Sequence, residues 1–101
     1  MKKLELVLFL PRGKYKEFNQ SLEILKEGIK DICTSLETQD SQDDFSFSLI
    51  AQWESEEQMH LALASDEFKI LRGAIDSLCH KTTVRFNDKH VGNHISKLKS
   101  L

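Results

Sequence analysis

Proline and glycine are scarce in this chain, one and four residues in 101. That excludes collagen-like repeats and Pro/Gly-rich low-complexity segments. Two cysteines are too few for a disulfide framework, so Cys33 and Cys79 read as free thiols. Charge of neither sign prevails: 14 basic against 16 acidic side chains give a net charge of −2, which leaves no electrostatic footprint for nucleic acid. No apolar run approaches the roughly 18 residues that suggest a spanning helix, so no membrane partner is expected. The apolar start, Leu4 to Leu10, is short, carries Glu5 and meets Pro11-Arg-Gly-Lys14 where a leader would need small residues. A strand and a cytoplasmic location are the expectations.

What is present suits one globular domain. The chain is 40% hydrophobic and 30% charged, and a domain of this length buries roughly 60–70% of its unfolded surface. Residues 3–10 alternate, with Leu4, Leu6, Leu8 and Leu10 on one face of a strand and Glu5, Val7 and Phe9 on the other. From Tyr15, the residues Phe18, Leu22, Leu25, Ile29 and Ile32 recur at helical steps, with Gly28 either a cap or a tolerated interior residue. Residues 32–39 read as a second strand and 39–44 as an acidic loop. Residues 45–53 form the clearest strand, with Phe45, Phe47, Leu49, Ala51 and Trp53 sharing a face.

Two serines then mark helix starts. Ser55 with Gln58 has the spacing of a capping box for a short helix through Met59 and Ala62. Ser65 can cap a second helix carrying Phe68, Leu71, Ile75 and Leu78. Residues 80–88, around Thr82, Val84 and Phe86, read as a fourth strand. Val91, Ile95 and Leu98 suggest a short amphipathic helix in a C-terminal extension, 89–101, that follows a domain spanning 1–88. The extension is expected to pack on a partner subunit or along a sheet edge.

The order βαββ(αα)β favours an α+β, ferredoxin-like antiparallel sheet with helices on one face. Strands one and three are then central and two and four are edges, placing Cys33 and Cys79 on opposite edges. The other face of the sheet needs cover from a second chain.

Gln52-Trp-Glu-Ser55 ending a strand, followed by Ser65-Asp-Glu-Phe68 opening a helix, resembles the antibiotic biosynthesis monooxygenase-like family over about residues 3–88. The resemblance implies a dimeric α+β barrel, hence a homodimer. It also implies a cavity between sheet and helices in which family oxygenases oxidise electron-rich phenols or quinols without a cofactor, or bind and degrade haem. The haem-degrading branch relies on an Asn in strand one, a Trp on the short helix and a His on the next. Matching through Gly13, Trp53 and Phe68 puts Leu6, Ala62 and Arg72 at those places. All three depart from the pattern, so neither haem nor any other cofactor is expected. His60 lies two residues from Ala62, which turns it about 160° away at roughly 3.6 residues per turn.

The residues expected to line the cavity are Phe47, Trp53, Met59, Ala62, Phe68 and Arg72, the last able to hold an anionic group. Each has a plainer reading: Trp53 closes a core, Arg72 is solvated, and His60 beside Glu56 and Glu57 is a solvated helix residue. Cys79-His80 does not complete a metal set, because adjacent strand residues point to opposite faces and no second pair exists. Phe45-x-Phe47 lacks the basic signature of RNA-stacking sheets. No catalytic residue is assigned. The expectation is a monooxygenase-like protein acting on or binding a small aromatic or quinol-type molecule. The alternative is a non-catalytic ligand-binding or dimeric interaction domain, favoured if Phe47, Trp53, Met59 and Phe68 pack the cavity solid.

Overall fold

The leucine alternation builds the centre of the sheet. In the computed structural model, which describes residues 1–41 and 45–100 and every side chain among them except those of residues 25, 32, 99 and 100, strand β1 spans Lys2–Phe9 and buries Leu4, Leu6 and Leu8 completely. It pairs antiparallel with β3 (Ser46–Trp53) on one side and β4 (Lys81–Phe86) on the other. Strand β2 (Ser35–Ser41) flanks β3, and a fifth strand, β5 (Lys89–Gly92), flanks β4. The sheet order is β2-β3-β1-β4-β5.

The helices are α1 (Tyr15–Ile29), α2 (Glu56–Leu63) and α3 (Asp66–Leu78). Helix α1 buries Phe18, Leu22 and Ile29, and α3 buries Phe68, Leu71 and Ile75, joining the inward face of β1 and β3 in one core. The expected stripe positions Leu25 and Ile32 lie outside the described side chains. Gly28 sits inside α1 rather than capping it. Both serine caps form: Ser55 Oγ accepts the N–H of Gln58 at 3.2 Å, and Ser65 Oγ accepts that of Phe68 at 3.2 Å. These bonds satisfy N–H groups that the first helical turn otherwise leaves without partners.

Three expected boundaries differ. Residues 30–32 continue α1 as a 3-10 turn, so β2 starts at Ser35 and runs through Ser41, into the stretch read as loop; residues 42–44 of that loop lie outside the described residues. Phe45 stands before β3 with φ 52°, and its carbonyl accepts the N–H of Leu10. Residues 89–92 form β5 instead of helix, which makes β5 the edge in place of β4 and takes Cys79 away from the edge. Asn87 and Asp88, with φ of 49° and 67°, make the two-residue turn of a β4–β5 hairpin. That left-handed pair matches the right-handed twist of the flanking strands, and Asn and Asp tolerate it best after glycine. Ile95 and Leu98, each 5% exposed, fold back as a 3-10 segment (Ile95–Ser100) onto the chain's own core.

The other face of the sheet carries Val7 and Phe9 of β1, Ile50 of β3 and Thr83 of β4, all only half-buried. Glu5 and Arg85 pair across it at 3.7 Å.

Candidate functional site

The inward face of β3 and the two helices that follow it bring five of the six expected lining residues together. Phe47, Trp53, Met59, Ala62 and Phe68 belong to one buried cluster, with 0–2% of their surface accessible. Side chains with so little accessible surface adjoin no hollow of ligand size. Tyr15 stacks on Phe47 with ring centroids 4.7 Å apart, and Phe18 packs on Phe47 at 5.3 Å. Such ring pairs add to the burial energy and hold the rings in place.

Arg72 stands apart from that cluster. It lies half-buried on α3 and lines a surface groove of about 270 Å³ with Lys69, Gly73, Asp76, His94, Ile95 and Ser96. A second groove, about 390 Å³, runs along the start of β2 and the start of α2, lined by Asp31, Cys33, Thr34, Glu54, Gln58 and Leu61. Lys69, Arg72, Gly73 and Asp76 fall at i, i+3, i+4 and i+7, one helical face, a signal that could have pointed to the first groove but from which only Arg72 was read. The second groove joins segments distant in sequence, and no local pattern announces it.

Trp53 and Cys33 meet behind the second groove. The Trp53 Nε1–H is buried and has no full hydrogen-bond partner; only the Cys33 sulfur, a weak acceptor, feels it. Burial pushes the Cys33 thiol pKa up and the indole lowers it by less. Cys79, at the end of α3, is pushed up to about 12 by burial alone. Both cysteines are free thiols, and neither is the low-pKa kind that serves as a nucleophile.

The haem pattern finds no purchase. Leu6 and Ala62 are sealed in the core at 0% and 1% exposure and offer no donor. Arg72 carries a permanent charge and cannot ligate iron as an imidazole does. His60 is exposed on α2 and faces Glu56 at 3.6 Å, outside the cluster. These residues do not fit haem. Cys79 closes α3 rather than sitting on a strand beside His80, and no group of three or more His, Cys, Asp or Glu side chains converges among the described residues.

No family model matches the sequence, and no curated protein does. Solved structures match closely in shape. One named as an antibiotic biosynthesis monooxygenase superposes with a TM-score of 0.78 at 20% identity, covering 87% of this chain and 97% of its own. The chain has the antibiotic biosynthesis monooxygenase-like fold. A candidate antibiotic biosynthesis monooxygenase from Nitrosomonas europaea shares it with a TM-score of 0.76 at 12% identity, covering 85% of this chain and 95% of that one. A conserved protein from Methanosarcina mazei does so at 0.77 and 16% identity, over 87% and 91%. At such identities the monooxygenase-like fold is what is shared, and chemistry must be argued from the side chains. No helix among the described residues is long and apolar enough to cross a membrane.

Proposed function

We propose that this chain is a homodimeric, non-catalytic interaction module with the monooxygenase-like fold. The observation that carries the reading is the sealed interior: Phe47, Trp53, Met59, Ala62 and Phe68 keep 0–2% of their surface accessible where a substrate would have to sit. Desolvating and orienting a quinol for reaction with oxygen requires a dry cavity of substrate size, and these side chains occupy that space. The half-buried Val7, Phe9 and Ile50 on the opposite face support pairing with a second copy, because an uncovered sheet face with such residues gains from burial.

A second reading, oxidation of a small phenol or quinol, is favoured by one feature: the buried Trp53 Nε1–H has only the Cys33 sulfur, a weak acceptor, on which a ligand oxygen would improve. Titrating 1,4-hydroquinone against Trp53 fluorescence separates the two, with Phe68→Ala as a control whose truncated ring opens a cavity. The module reading expects no saturable change in the wild type and binding only in the variant. Saturable quenching of the wild-type protein favours the oxygenase.

A further inference from the structure

We propose that the groove between α3 and the C-terminal 3-10 segment binds a small molecule through its oxyanion group, a phosphate monoester or carboxylate. Lys69 and Arg72, one turn apart on α3, both line the groove, and neither has an ion-pair partner among the described residues. The Arg72 Nε is buried without a hydrogen-bond acceptor. A half-buried guanidinium that lacks an ion-pair partner gains more from an incoming oxyanion than a fully solvated one does, and its planar fork suits a carboxylate or phosphate. Among the described residues the lining holds one carboxylate, Asp76, which faces His94 Nε2 at 3.4 Å. On the far wall the Nδ1 of His94 accepts the Ser96 N–H at 3.1 Å and faces the Ser96 hydroxyl at 2.9 Å.

Gly73 supplies the independent argument. Glycine inside a helix costs about 0.5–1 kcal/mol relative to alanine. Yet a Cβ at Gly73 would meet nothing within 4 Å among the described residues, so no contact there calls for its absence. The missing side chain widens the groove directly beside Arg72. The space that the helix gives up stability to keep open is space for a ligand.

The test is a two-dimensional amide NMR titration of the full chain with inorganic phosphate and, separately, phenyl phosphate, each against sodium chloride of matched ionic strength. The expected result is a saturable shift confined to amides of residues 69–76 and 94–96. Arg72→Met should weaken it at least tenfold, and Gly73→Leu should abolish it without lowering the melting temperature. Tighter binding of phenyl phosphate would show that the groove holds the body of the ligand as well as its charge. Shifts that stay linear in phosphate, that chloride reproduces, or that survive both substitutions would overturn the proposal.

Discussion

Gly28 of α1 lies directly under Glu67 of α3: a Cβ built on Gly28 would overlap Glu67 Cγ and stand 3.3 Å from its Cβ. The two helices approach this closely because one of them has no side chain at the crossing. Gly28→Ala therefore sets a helix-propensity gain of up to about 1 kcal/mol against a clash that Glu67 must swing away to relieve. The expected outcome in chemical denaturation is no gain, or a net loss. In a Glu67→Ala background, where Cγ is gone and only the 3.3 Å approach of the two Cβ atoms remains, the same substitution should cost less than in the wild type. A cycle with no coupling between the two positions would contradict the crossing geometry.

The two serine caps should differ in strength. Ser55 is exposed and makes one bond, to the Gln58 N–H. Ser65 is half-buried, accepts the Phe68 N–H and donates to the Ala62 carbonyl at 2.7 Å, tying the end of α2 to the start of α3. Ser55→Ala should cost about 0.5–1 kcal/mol and Ser65→Ala about 1–2 kcal/mol. Urea denaturation of the two variants checks the order; equal losses would mean that the Ala62 bond contributes nothing.

Alkaline pH should weaken the fold through its thiols. Folding raises the Cys79 pKa from 9.0 to about 12 and that of Cys33 in the same direction. The protonated thiols are thus favoured in the folded state. Their contribution to stability is complete below pH 9 and is lost as pH rises from there towards 12. At pH 9.0, folded Cys79 holds on the order of a thousandfold less thiolate than an ordinary thiol, so iodoacetamide should label it far more slowly than in the urea-unfolded chain. Mass spectrometry of the labelled peptide gives the rate, and equal labelling in both states would refute the burial argument.

If two copies meet through the open sheet face, a charge placed there should part them. Ile50→Glu adds a carboxylate to that face while leaving the buried side of β3 intact. Sedimentation at micromolar concentration should show a dimer for the wild type and at least a tenfold weaker one for the variant. A wild-type monomer would remove the dimer from the account.

Much of the architecture was legible because periodicity and capping agree. The alternation of Leu4, Leu6 and Leu8, the helical steps of Phe18 and Leu22, and the serines at 55 and 65 each predict the element that forms. The C-terminal hairpin was missed, because Asn87-Asp88 was read as the end of one strand, 80–88, instead of as a turn between two. There the helical spacing of Val91, Ile95 and Leu98 suggested the wrong period, because Val91 belongs to β5 and the other two to the 3-10 segment. The site was less legible. Local pattern places Phe47, Trp53, Met59 and Phe68 on inward faces, but whether inward faces enclose a cavity or fill it depends on side-chain volumes summed across several elements, a property that no short window of sequence carries. Arg72 was placed among them by matching to a family pattern, and the turn of α3 takes it out to a groove instead.

The claim that the interior is filled by the chain itself is tested most directly by oxygen uptake. Purified protein is mixed with a panel of hydroquinones and naphthohydroquinones in an oxygen electrode, beside protein-free controls. The account predicts uptake no faster than autoxidation for every member of the panel. Saturable uptake above the control that is lost in Trp53→Phe, which removes the buried indole N–H while keeping an aromatic ring in the core, would contradict it and establish an oxygenase.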